Sequence, residues 1–335
     1  MKSFLKNLAF SIGGISPVKE ICKVNKGRAG IICYHRVIPD SQFESLEGPH
    51  KYLSIKESLF EEHIALLVKK ETLVSMDEIH EHLLGKSNTF VVALTFDDGY
   101  KDNLNHALPI LEKYDAPVTI YVTTSFLEGD TWAWWFEIWD HIEKNDHIKL
   151  NFNNIRLEWD TSTNKLKNKC YKYFNSLLIG LKKQEQEIIL ESLIQTSERK
   201  KNNDLFLNWK ELTILEKHPL VTIGAHTHSH ANLRILKESE VFFEMNHSNR
   251  LLEKNLKKKI DHFAYPYGTL NEATTREYEL AKKNGYKTAV TTVPKSCKNP
   301  NMHAIPRYGI PNNLNAYGLQ GKLSGWEQFL RHILI

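Results

Sequence analysis

The sequence predicts an α/β fold in which a parallel sheet is rolled into a distorted (β/α) barrel carrying a helical, Trp- and Lys-rich insertion. Three observations predict it. Short apolar runs rich in β-branched residues, at 29–34, 90–94, 116–123, 221–225, 260–265 and 287–292, alternate with stretches of helical period. Such runs read as strands covered on both faces, the habit of parallel sheets. Ionisable residues collect just after the runs, and α/β folds place their chemistry at the carboxyl ends of parallel strands. Between about 127 and 206 the alternation stops. There Trp132, Trp134, Trp135 and Trp139 crowd together ahead of a lysine-rich, helical-looking stretch.

At 335 residues and 41% hydrophobic content, the chain can build one large domain with a substantial core, or one domain with an insertion. A formal net charge of +4 is too small to argue for nucleic-acid binding. Cys22, Cys33, Cys170 and Cys297 show no CxxC spacing, so neither a zinc knuckle nor a disulfide framework is indicated, which a reducing cytoplasm accommodates. Residues 1–27 form a separate amphipathic segment. Phe4, Leu5, Leu8, Phe10, Ile12 and Ile15 supply an apolar face, but Lys6 interrupts it and no small-x-small cleavage site follows, unlike an export signal. This segment either packs on the domain or rests on a membrane surface. The expectation is a cytoplasmic protein, with peripheral contact at the inner face of the membrane left open. No run approaches the roughly 20 apolar residues of a membrane span.

In chain order, the first strand, 29–34, delivers His35 and Arg36. Ser54 with Glu57 reads as a capping box for a helix carrying Leu59, Phe60, Ile64 and Leu67. A short strand at 72–75 and a helix at 76–84 precede the run at 90–94. A helix from about Asn103 to Tyr114 follows, with Pro109 an imperfection, and then the strand at 116–123. In the insertion, clustered indoles either stack on sugar rings or close the barrel rim. Lysines 165, 167, 169, 172, 182 and 183 read as a solvated helical face. Beyond it, helices are expected at 238–257 and 272–284. The tail, 313–335, reads as a closing helix with Leu323, Trp326, Phe329, Leu330 and Ile333 inward.

Two motifs carry chemistry. Thr95-Phe96-Asp97-Asp98-Gly99-Tyr100 ends a buried strand in two adjacent carboxylates. Side chains alternate along a strand, so Asp97 and Asp98 leave it in different directions, and one can bind a cation while the other takes a proton. A turn that merely caps the next helix is the plainer reading of that pair alone. The second motif, His226-Thr227-His228-Ser229-His230, sets three histidines in five positions at another strand exit. If the chain turns helical there, His226 and His230 share one face and can grip one divalent ion, with His228 pointing elsewhere.

These motifs, followed by Phe263-Ala264-Tyr265-Pro266-Tyr267-Gly268 and preceded by Ile32-Cys33-Tyr34-His35-Arg36-Val37, resemble the successive motifs of the NodB-homology polysaccharide deacetylases, carbohydrate esterase family 4. The resemblance spans roughly 28–125 and 207–312, which bounds the catalytic domain at 28–312 with its insertion at about 127–206. It implies a NodB-type barrel and a divalent metal held by Asp98, His226 and His230, with positions left for water and a substrate carbonyl. Zinc suits the imidazoles, while nickel, cobalt or iron at these ligands is chemically reasonable. Asp97 is the candidate base, and the backbone N–H at Tyr267 is where this family stabilises the oxyanion. Many members take the acid from a Leu-x-Leu-His pattern that is missing here. Members with a rearranged motif order carry it after the first strand, so Tyr34-His35 assigns it to His35, with His303 as rival. The family's usual base-steadying Arg is Ala264 here, and Arg307 or Arg36 stands in line to replace it.

The reading that follows is a hydrolase removing acetyl from an N-acetylated sugar, whether polymer, oligosaccharide or lipid-linked glycan. A catalytically silent carbohydrate-binding protein is the alternative from another class, and an O-deacetylase the nearer one. Binding alone does not require a base beside a metal, which favours the enzyme. An ester needs the acid less than an amide does, so substitution of His35 separates the last two.

Overall fold

The computed structural model describes residues 27–129, 133–152, 155–194, 204–295 and 297–326. Eight parallel strands make the main sheet: Ala29–Tyr34 (β1), Thr72–Leu73 (β2), Val91–Phe96 (β3), Val118–Val122 (β4), Val221–Ala225 (β5), His262–Ala264 (β6), Thr288–Val290 (β7) and Tyr308–Gly309 (β8). β1 and β3 are buried at every position, as uninterrupted apolar runs must be when both faces are covered. They pair in register from Ala29↔Val91 to Tyr34↔Phe96. The strand order is β7-β6-β5-β4-β3-β1-β8, with β2 beside the start of β3 where β4 has not yet begun. Just ahead of β8, Ile305 bridges to Val290 at the end of β7, while Tyr308 and Gly309 pair with Ile32 and Cys33 of β1. The segment 305–309 thus spans the gap between the two ends of the sheet, and the expected distorted barrel results.

Most helices fall where the periodicity places them, and the departures have local causes. The capping box at Ser54 does not form. Ser54 lies in a short strand, Ser54–Lys56, that pairs with Arg36–Ile38, and its hydroxyl donates to the His50 carbonyl at 2.6 Å. Asp40 instead accepts the Ser58 N–H at 3.0 Å, near the start of helix Glu57–Lys70. The helix expected from Asn103 opens as a π-turn, Asn103–Ala107, before the α-helix Leu108–Lys113. Pro109 has no N–H to give and its ring crowds the carbonyl four residues back, so a wider turn just ahead accommodates it.

The insertion is not wholly helical. Helix Trp134–Lys144 is followed by an antiparallel hairpin, His147–Phe152 with Ile155–Asp160, and then by helices Asn164–Ile179 and Lys183–Leu193. These build a second apolar core around Phe136, Trp139, Ile142, Phe174 and Leu190, separate from the barrel's own. Trp139 is buried against Gly48, where an added Cβ would meet the indole at 2.1 Å and φ is +50°, so only glycine fits. Lys165, Lys169, Lys172 and Lys183 are exposed, whereas Lys167 and Lys182 are partly covered.

At the carboxyl end, helix Ala316–Leu323 packs its Leu319 and Leu323 inward and contacts helix Glu57–Lys70. The amphipathic segment's residues 1–26, Trp132, and Phe329, Leu330 and Ile333 of the tail lie outside the described residues. Among the described residues, no helix is long and apolar enough to cross a membrane.

Candidate metal and active site

Because the strands are parallel, their carboxyl ends open on one face, and there lies a cavity of about 400 Å³. His35, Asp97, Asp98, His226, His230 and Tyr267 all line it. Backbone geometry aims them. Of the six described non-glycine residues with positive φ, Asp98 (74°), His230 (55°) and Tyr267 (60°) line this cavity, and Thr227 (66°) directly follows its His226. A left-handed conformation costs a non-glycine residue roughly 1–3 kcal/mol and clusters where function requires it.

The stretch from His226 to His230 is not the helix its spacing allows. The His226 N–H bonds to the Val122 carbonyl of β4, and the chain then turns through Thr227 and His230 as a loop. The loop nevertheless brings the two imidazoles together. His226 Nε2 and His230 Nε2 lie 3.3 and 3.2 Å from Asp98 Oδ1. Ligand atoms about 2.0–2.1 Å from a tetrahedral ion sit about 3.3 Å apart, so these spacings fit one divalent cation. Hydrogen bonding agrees: His226 Nδ1–H donates to the Ala264 carbonyl at 2.7 Å, which leaves the Nε2 lone pair facing Asp98. Asp98 Oδ1 is buried without a hydrogen-bond partner. Burial pushes the Asp98 carboxyl up, but His230 and His226 outweigh it and hold it well below the usual carboxylate range. His228 points away, as expected, with its Nδ1 2.9 Å from Thr124 Oγ1.

Asp97 is wired differently. Burial pushes its pKa up, yet the Arg307 guanidinium and His226 beside it bring it below normal. Arg307 grips both oxygens, Nη1 to Oδ1 and Nη2 to Oδ2, each at 2.6 Å, and is itself fully buried. Of the two arginines open to the sequence, Arg307 therefore stands where Ala264 cannot; Arg36 pairs with Asp102 at 2.8 Å. The Cys33 thiol donates to Asp97 Oδ2 at 3.4 Å.

His35 is half-buried, and a ring nitrogen lies within 4.8 Å of an Asp97 oxygen. His303 is elsewhere, its Nε2 2.9 Å from the Tyr286 carbonyl and its side chain outside the cavity lining. Tyr267 sets its ring 4.8 Å from that of His230. Trp134, Trp135 and Trp139 all belong to the insertion's core, and Trp134 and Trp135 also line the cavity.

Glu244 went unread in the sequence. From helix Glu238–Leu256 its carboxylate accepts the N–H groups of His228 (3.0 Å) and Ser229 (2.8 Å) and the Ser229 hydroxyl (2.7 Å). Thr227 Oγ1 accepts the His230 N–H at 3.0 Å. Together they brace the loop. A signal existed, since Glu244 falls in the buried stripe with Val241, Met245 and Ser248, and a buried acid needs donors.

Comparison with known proteins adds four findings. A family model described as polysaccharide deacetylase matches residues 85–289, a span that leaves out both His35 and Arg307. A poly-beta-1,6-N-acetyl-D-glucosamine N-deacetylase of Staphylococcus aureus is 24% identical over 330 residues, 93% of this chain and 87% of the relative. Among solved structures, a Streptococcus pyogenes deacetylase, PplD, superposes with a TM-score of 0.59 at 18% identity, covering 88% of this chain and 98% of that one. IcaB from Ammonifex degensii gives 0.57 at 17%, covering 88% and 97%. At such identities the structural likeness speaks for the fold.

Proposed function

This chain belongs to the polysaccharide deacetylase family, and on that footing we propose that it hydrolyses the acetamide of an N-acetylated glycan, of the N-acetylglucosamine polymer class named for its relatives, releasing acetate. The observation that carries the proposal is the pairing of Asp98, His226 and His230 around one point with an arginine-held Asp97 beside them. Binding alone requires no such base.

Asp98, His226 and His230 would hold a divalent cation, with zinc the first choice for two imidazoles and a carboxylate, and nickel, cobalt or iron next. Bound there, it would act as a Lewis acid on the acetamide carbonyl and lower the pKa of water. Asp97 takes the proton from the attacking water, and Arg307 keeps that carboxylate ionised and aimed. The new C–O bond converts the amide carbon to a tetrahedral centre whose oxygen the Tyr267 N–H would stabilise, as the family resemblance implies. His35 protonates the nitrogen as the C–N bond breaks, so that amine and acetate leave. Trp134 and Trp135 wall the cavity and keep bulk water from the reacting centre.

The test is acetate release from β-1,6-linked N-acetylglucosamine oligomers by zinc-loaded protein. Release should fall about 10²–10⁴-fold in Asp97→Asn and fall with an amide more than with an activated acetyl ester in His35→Ala. No acetate from any N-acetylated glycan by the loaded protein would refute the proposal.

A further inference from the structure

The metal ligands, the base and the acid all stand at strand exits of the barrel, but part of the wall around them belongs to the insertion. Its helix Asn164–Ile179 lends the cavity Tyr171, Asn175 and Ile179, a spacing of four that sets all three on one helix face. Asn175 is the one amide side chain in the lining. The Tyr171 hydroxyl donates to its Oδ1 at 3.4 Å, which orients the amide. Its Nδ2 then has no partner among the described residues. The barrel holds a second unused donor at the same cavity. The Tyr267 hydroxyl is buried without a hydrogen-bond partner, on a side chain packed against the insertion's core. The Trp134 side chain stands beside it and can only donate, so the hydroxyl proton finds no acceptor there.

Buried polar groups are normally paired, and donors left over in a cavity mark where a polar ligand belongs. Here the missing acceptors must come from the occupant. In a β-1,6-linked chain, positions 1 and 6 are spent in linkages and position 2 carries the acetamide, so each sugar offers its 3- and 4-hydroxyls. Resting on the deacetylase reading above, we infer that Asn175 is a specificity-determining residue, whose Nδ2–H donates to the 3- or 4-hydroxyl of the sugar being deacetylated. The insertion thereby reads the sugar that the barrel hydrolyses. Neither hydroxyl is bonded to the reacting carbon, so the contact is alike in ground and transition states and belongs to KM more than to kcat.

The experiment measures acetate release by zinc-loaded wild type, Asn175→Ala and Asn175→Leu on three β-1,6-linked trimers, built from N-acetylglucosamine, its 3-deoxy form or its 4-deoxy form. Leu keeps much of the bulk of Asn without the donor, and thermal melting shows both variants folded. On the parent trimer each variant should lose about three- to tenfold in kcat/KM, carried by KM, the worth of one neutral hydrogen bond. On one of the deoxy trimers wild type should drop to the variants' level, and the substitutions should cost nothing further. A loss that is equal on all three trimers makes Asn175 a merely structural residue and overturns the inference. So do variants that match wild type on the parent trimer, and in both cases the deacetylase stands. Acetate from none of the trimers with wild type overturns the deacetylase reading and the role of Asn175 with it.

Discussion

Asp97 and Asp98 are neighbours in the chain, equally buried, and stabilised in opposite ways. Asp97 has both oxygens satisfied by Arg307 from within the fold, whereas Asp98 turns one buried oxygen toward two histidines and finds no donor. The charge on Asp97 is thus part of the folded protein, while that on Asp98 awaits a cation. One carboxylate is organised for proton transfer and the other for ligation, and the Arg307 pair, more than the aspartates themselves, distinguishes them.

The contrast can be broken most forcefully at Arg307. Arg307→Met leaves Asp97 buried and uncompensated and should destabilise the protein by about 3–5 kcal/mol, measured by denaturant melts. Asp98→Asn should cost less metal-free stability than Arg307→Met, yet weaken zinc binding by more than the roughly 100-fold that supporting residues cost, measured calorimetrically. If both substitutions cost the same stability without metal, the distinction fails. Glu244→Gln sharpens the ligand side: it removes charge from the brace beneath His228 and Ser229 and should weaken zinc about tenfold without changing the fold, with affinity and near-UV dichroism as readouts.

The smallest effect lies outside both carboxylates. His63 sits behind Tyr34, its Nδ1 3.0 Å from the Tyr34 hydroxyl and its Nε2 2.6 Å from the Leu314 carbonyl. Burial lowers its pKa to about 4, against the partial opposition of that carbonyl. Below an unfolded pKa of about 6.5 the unfolded chain gains a proton that the folded one refuses, so stability falls as pH drops toward 4. From pH 7 to 5.5 the loss should be about 1 kcal/mol, and His63→Gln should flatten it. An unchanged slope in that variant would place the acid sensitivity elsewhere.

What the sequence disclosed follows from what is local. Strands and their exits were legible because an apolar run and its terminal residue lie in one window, and that placed His35, Asp97, Asp98 and His226 at one barrel end. Whether 226–230 turns helical stayed conditional in the sequence because a spacing of four satisfies either geometry, and the β4 carbonyl that decides for a loop is distant in sequence. The hairpin at 147–160 alternates in period two, but lysine-rich flanks of helical period obscured it. Arg307 was separable from Arg36 only once the segment at 305–309 closed the barrel and brought it against Asp97. Ser54 lost its cap because strand pairing claimed its backbone first.

The most direct measurement is a zinc titration of Asp97→Asn and Asp98→Asn beside wild type, with acetate release followed in the same samples. The account predicts that Asp97→Asn binds one ion per chain with near wild-type affinity and is almost inactive, while Asp98→Asn binds it poorly. An Asp97→Asn protein that loses the ion, or an Asp98→Asn protein that keeps it, would contradict the division of labour between the two aspartates.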